Sequence, residues 1–313
     1  MSMSEEEISP EPDTIGENQA KLSRRGFLKL LGITIAAAAL KRSSSEEKDV
    51  DPDILRAEIE NQFGIEVKTY GEVNPSPNET ATDLEYFPSA WRVDQLKRLQ
   101  QFLPVLPEHF YKSPGSVKKL IVYGGIQSYH CRIGDTEGCP ILYQGEPYKA
   151  EQPIIAINYG ILEPDGGKSS LEMVSHECTH SIVDNGHEEM HPDARTAVIK
   201  SWYAELENIL GKRYKGVYDQ LFGKIETAKK EKTGNREQQW FYIQLAYAFS
   251  NPSEPSEFIP ILAERYLHGR SDFEKRYSEF FPRSISRALY DFTKDKVFRG
   301  KEYNSFPLDL PRS

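Results

Sequence analysis

Residues 169–191 read SSLEMVSHECTHSIVDNGHEEMH, and the pattern His-Glu-x-x-His occurs in them twice, at His176–His180 and at His187–His191. Two histidines four apart on a helix lie one above the other, so both imidazoles can reach one metal ion. A glutamate beside the first can take a proton from water. Only the first copy has a helix around it. Leu171, Val174, Cys178 and Ile182 recur every three or four residues as one apolar stripe, and Ser169 or Ser170 can cap its start. The second copy sits between Asn185-Gly186, a turn signal, and Pro192, which disfavours helical geometry at His191. The expectation is a metal-and-water helix over 169–184, with a turn after it and Pro192 opening the next helix. His187 and His191 are left as candidates for a weak surface metal site.

Working outward, the order of elements is a small β-containing part followed by a helical part, an α+β layout with a cleft between the two parts as the place for a site. "DILRAEIENQFG" has helical periodicity and stops at Gly64, and "IEVKTYGEV" reads as a strand. "SAWRVDQLKRLQQFL" reads as a helix with Ser89 as N-cap and Pro104 as its stop. "VKKLIVYGG" and "PIIAINYGI" are strand candidates. Beyond "EPDGGKSS" the pattern is helical over roughly 169–184, 192–210, 213–231, 235–249, 256–268, 272–281 and 283–297.

The 313 residues are 38% hydrophobic and 28% charged, ordinary for a globular protein of one or two domains. A net charge of −9 argues against nucleic acid as partner, because phosphate binding needs concentrated Lys and Arg. Three cysteines are too few for a disulfide scaffold. Cys131 and Cys139 are near enough in "HCRIGDTEGCP" to close a small loop outside the cytoplasm, or else are two unpaired thiols flanking a turn.

Residues 23–42, "SRRGFLKLLGITIAAAALKR", combine paired arginines, an apolar run and an Ala-rich end, the layout of an export signal. The run is short for a membrane span. "SRRGFLK" resembles the consensus of twin-arginine signal peptides, and that resemblance implies export through the twin-arginine machinery to the periplasm or beyond. Ala37 and Ala39 are the small residues of a cleavage site after Ala39, which would leave no stable membrane span; an uncleaved anchor is the alternative. The domain reading is a signal over 1–40, a polar linker over 41–52 and one folded domain over 53–305.

A catalytic zinc takes three protein ligands and keeps a position for water. A metzincin would place a glycine and a third histidine soon after the motif, but those positions hold Val183 and Gly186. Asp184 shares the face of His176 and His180 and suits orienting a histidine or ending the helix. The downstream segment "YAFSNPSEPSEFIPILAERYLHG" (247–269), together with "SHECTHSIVD", resembles the gluzincin-type zinc peptidases related to the anthrax lethal factor catalytic domain and the Mlc titration factor. The likeness takes in the order of helix, Leu-Pro segment and two strands, most of residues 90–290. It implies a zincin-like fold, one Zn2+ ion, and a third ligand from a glutamate followed by an apolar helix, with a tyrosine ahead of it.

That family's tyrosine lies seven residues before its ligand, which matches Tyr247 with Glu254, whereas its apolar run matches the residues after Glu257. Pro255 disfavours helical geometry at Glu254 and suits the first position of a helix that carries Glu257 in its first turn. Glu257 is the preferred third ligand and Glu254 the alternative. Pro260 is a candidate kink in that helix.

The expectation is an exported zinc metalloendopeptidase acting on peptide or protein substrates. His176, His180 and Glu257 hold the ion, Glu177 is the general base, and Tyr247, by resemblance, stabilises the oxyanion. Rival classes are a zincin-fold binding or scaffold protein outside the membrane without turnover, and a helical interaction protein without metal.

Overall fold

The computed structural model of the chain describes residues 50–73, 87–88, 90–113, 115–124, 129–131, 153–158, 167–185, 192–211, 223, 241–242, 244–246, 248–249 and 257–307. All belong to the larger of two compact units, Ile35–Ser313. The signal segment, Ser89, Cys139, His187, His191, Tyr247 and Glu254 lie outside the described residues.

The first helix, α1 (Pro52–Phe63), starts where its sequence says it should. Asp51 accepts the Asp53 N–H at 2.9 Å, and Pro52 loses no bond at the first helical position. Gly64, at φ 68°, ends it in the left-handed region. Leu55, Ile59 and Phe63, each one turn apart, are buried.

Strand β1 is shorter than expected, spanning Glu66–Thr69, because the next residues turn into the helical segment α2 (Tyr70–Val73). Thr69-x-x-Glu72 is a capping box. Glu72 accepts the Thr69 N–H at 2.5 Å, and Thr69 Oγ1 accepts the Glu72 N–H at 3.3 Å. After the two-residue β2 (Phe87–Pro88), helix α3 (Val93–Phe102) has its N-cap at Arg92 instead of Ser89. The Gln95 side chain reaches back to accept the Arg92 N–H at 3.1 Å. The α-helix stops just before Pro104, with Leu103 as its C-cap, as expected; Pro104 itself sits in a 3-10 turn, Leu103–Val105, and the short α4 (His109–Lys112) follows.

Strands β3 (Lys119–Gly124), β4 (Tyr129–Cys131) and β5 (Ile154–Asn158) complete a sheet ordered β1-β3-β5-β4, with β2 paired to β3. Parallel pairing of β3 with β5 puts Leu120 opposite Ile155 and Val122 opposite Ile157. Residues 120–122 and 154–157 are all buried, so these strands read as unbroken apolar runs. β4 runs antiparallel on the outer side of β5, with Tyr129 opposite Ala156.

The helical part comprises α5 (Gly167–Asn185), α6 (Pro192–Leu210), α7 (Phe258–Tyr266), α8 (Arg270–Tyr277) and α9 (Arg283–Phe292), which runs on into a π-turn, Thr293–Val297. α6 opens at Pro192 as expected. Residues 241–242, 244–246 and 248–249 are helical too. The mixed architecture, mostly helical with a small, largely parallel sheet, is α+β. No helix among the described residues is long and apolar enough to cross a membrane.

α5 packs against β4, β5, α4 and, most extensively, α7. Its apolar stripe is fully inside: Leu171 and Cys178 are 0% exposed, Val174 and Ile182 1%. Each such aliphatic side chain contributes about 1.5–3 kcal/mol on burial. Pro260 causes no break in α7, since it occupies the third position, where the N–H has no partner within the helix. Gly269 turns α7 into α8 at φ 85°, with a Cβ there only 2.5 Å from the Asn304 carbonyl oxygen. Only glycine fits that approach.

His109 joins the two parts: its Nε2 lies 2.8 Å from the Val297 carbonyl oxygen, across 188 residues of chain. Burial pushes its pKa down to about 4, helped by the Arg299 charge and opposed by the hydrogen bond to Val297. The neutral ring donating Nε2–H is therefore the folded form. The unfolded chain binds a proton first, so this contribution is complete above pH 6.5 and is lost as pH falls from there to about 4. Its size is about 3 kcal/mol. Urea midpoints measured across that window should fall less steeply in His109→Gln than in the parent chain.

Candidate metal centre

α5 is buried on its polar face as well as its apolar one. Glu172, Ser175, His176, Glu177, Thr179, His180 and Ser181 are all 5% exposed or less. Polar groups enter a core only when something there answers them. For His176 and His180 the facing groups come from α7 and its preceding residue, Glu257, while Thr179 Oγ1 donates to the Ser175 carbonyl within α5.

Three ligand atoms converge. His176 Nε2 and His180 Nε2 are 3.2 Å apart, and Glu257 Oε2 is 3.4 Å from each. Ligands about 2.0–2.1 Å from a tetrahedral zinc are spaced by about 3.3–3.4 Å, the edge of that tetrahedron. The triangle fits a zinc ion without rearrangement. Two imidazole nitrogens and one carboxylate oxygen are also the donor set that zinc favours.

Glu257 occupies a slightly different place from the one its sequence suggests. α7 begins at Phe258, so Glu257 is the N-cap residue rather than part of the first turn. It remains part-exposed, its side chain at 21%, which leaves the centre open on that side while His176 is 1% exposed. Tyr247 and Glu254 fall outside the described residues.

The chain also provides what a histidine ligand needs behind it. His176 Nδ1 sits 2.7 Å from Glu264 Oε1, a carboxylate 2% exposed, and Gln244 Nε2 donates to the same oxygen at 3.1 Å. The contact is close but not in line for an Nδ1–H···O bond; brought into line, a neutral His176 giving Nδ1–H to Glu264 would keep its Nε2 lone pair aimed at the metal position. The sequence left Asp184 either to orient a histidine or to end the helix, and it lies in the last turn of α5, next to the final residue Asn185. For His176 the role belongs to Glu264. Its spacing of seven residues from Glu257, two helical turns, was the signal for it.

Electrostatics agree with this donor set. Burial opposes a charge on His176, but the Glu264 carboxylate, hydrogen bonds to Glu257 and Glu264 and the Glu177 charge outweigh it and push its pKa up to about 10. Carboxylates at Glu177, Glu257 and Glu264 surround two imidazoles, so the pocket favours a positive charge. Burial pushes the Cys178 thiol up, with the Glu177 charge adding to it, so Cys178 serves as an apolar anchor of α5 and not as a ligand.

Glu264→Ala should weaken zinc binding by about 10–100-fold, the usual cost of losing an outer-shell partner. Competition against a calibrated chelator measures it. Affinity equal to the parent would remove Glu264 from the centre.

No family model matches the chain, and neither a curated protein nor a solved structure matches it.

Proposed function

We propose that the chain is an exported zinc-dependent metallopeptidase with a zincin-like, gluzincin-type catalytic domain, carried out through the twin-arginine route. The observation that carries this reading is the triangle of His176 Nε2, His180 Nε2 and Glu257 Oε2, with edges of 3.2–3.4 Å. Support comes also from the placement of Glu177, next to a ligand on the same helix and only 1% exposed.

When bound, zinc supplies Lewis acidity that brings a coordinated water to a pKa of about 7 and polarises the substrate carbonyl. His176 and His180 would hold the ion through Nε2, and Glu257 would do so through Oε2. Glu264 keeps the proton of His176 on Nδ1. Glu177 takes a proton from the attacking water and delivers it to the leaving amine as the C–N bond breaks. Tyr247 donates its O–H to the oxyanion of the substrate carbonyl, the role that the resemblance gives it.

Incubation of the full-length chain with a mixed peptide library tests the proposal. Cleavage that is lost on chelation and restored by zinc is the expected result. A zinc-loaded chain that cuts nothing in the library would instead favour a binding protein on the same scaffold.

A further inference from the structure

A second buried polar cluster continues the metal centre along the α5–α7 interface. Glu172, one turn before His176, is 5% exposed. Its Oε1 is hydrogen-bonded to His268 Nε2, just past the end of α7, and its Oε2 is 3.8 Å from Arg265 Nη1. Arg265 is 1% exposed, its guanidinium 5.0 Å above the Phe241 ring.

The contacts form a ladder. Glu172, His176 and His180 recur every four residues on one face of α5, and Glu257, Glu264 and His268 share one face of α7 and its flanks. Glu257 meets His176 and His180, Glu264 meets His176, and His268 meets Glu172, so the helices run antiparallel with three rungs. Apolar side chains would allow α7 to slide by one turn, about 5.4 Å, at modest cost. The charged rung does not. A slip one way places Glu264 against Glu172, two buried acids together. A slip the other way takes Arg265 and His268 from Glu172 and leaves a buried carboxylate without either of them, a strongly unfavourable state.

We propose that Glu172, Arg265 and His268 are positioning residues that fix the register of α7 on α5 and so deliver Glu257 and Glu264 to the histidines. This rests on the metal-centre reading above. Buried polar groups are best attested in this use, setting register at some expense of stability. Burial would raise the Glu172 pKa, but the His268 hydrogen bond and the charges of Arg265, His268 and Arg276 outweigh it and hold the carboxyl below its ordinary value. The rung is an ion pair.

The test uses the full-length chain. Glu172→Gln keeps the shape and removes the charge. Its zinc dissociation constant, measured by chelator competition, should weaken by about 10–100-fold, and the visible spectrum of the Co2+-substituted chain should change with the displaced carboxylate. A second variant, Glu172→Leu with Arg265→Met and His268→Leu, replaces the rung by apolar side chains. Such replacements are often neutral or stabilising. Its urea midpoint should match or exceed the parent's while zinc affinity still falls. A purely stabilising role would move the midpoint and leave affinity and spectrum alone. Parental affinity and an unchanged Co2+ spectrum in either variant overturn the proposal while the metal centre stands; a parent chain that binds no zinc sinks the metal reading and the rung with it.

Discussion

Glu177→Ala is expected to lower kcat for peptide hydrolysis by about 10²–10⁴-fold while the chain keeps one zinc ion. The two halves of that result have different origins. Zinc retention follows because the converging atoms belong to His176, His180 and Glu257, none of which is altered. Alanine is also the better helix former, so the change does not weaken α5 as a helix. The rate falls because, in the zinc-loaded chain, both histidines would be committed to the metal through Nε2, and Glu264 lies against His176 Nδ1. Activity near the parental level in a zinc-loaded Glu177→Ala chain would remove Glu177 from the mechanism. Loss of zinc together with activity would instead make Glu177 a ligand.

Glu257→Ala carries the other large effect. Its carboxylate contacts both imidazole nitrogens at 3.4 Å, so the variant should lose zinc affinity by more than the roughly 100-fold upper range seen when only an outer-shell partner is removed. Glu254→Ala should leave zinc content unchanged, and the pair of measurements together decides the third ligand. The opposite pattern, with zinc lost from Glu254→Ala and kept by Glu257→Ala, would exchange the two assignments. Because Glu257 is part-exposed while the histidines are buried, replacing it opens the centre without leaving a sealed cavity. The fold should survive, with a urea midpoint close to the parent's.

The parts of the fold that were legible beforehand are those with strong local periodicity. Leu171, Val174, Cys178 and Ile182 announce the buried side of α5, and the apolar runs at 119–124 and 154–158 announce the two central strands. His176 and His180 were legible for the same reason, since helical spacing alone brings them together. β2 and β4 were not. At two and three residues they have no period, and β4 is defined by its pairing with β5 across the sheet. Thr69-x-x-Glu72 was visible as a string but was overridden by the β-branched run before it, which made the turn into α2 look like more strand.

Glu264 and Glu172 failed to stand out for a different reason. Each lies in an apolar stretch, where a lone acid reads as a solvent-facing position on an amphipathic helix. Their burial becomes intelligible only once α5 and α7 are side by side, with His176 opposite one and His268 and Arg265 opposite the other. Tertiary pairing of polar groups leaves little local trace, here no more than the seven-residue spacing of Glu264 from Glu257. Glu257 is the intermediate case: the prolines at 255 and 260 bracketed the start of α7, but not to the residue, and Glu257 is the N-cap.

The most direct test of the central claim is a crystal structure of the zinc-soaked full-length chain with anomalous data at the zinc edge. The account predicts one peak inside the triangle of His176 Nε2, His180 Nε2 and Glu257 Oε2, about 2.0–2.2 Å from each. A peak held instead by His187 and His191, or no peak on α5 at full zinc loading, would contradict it.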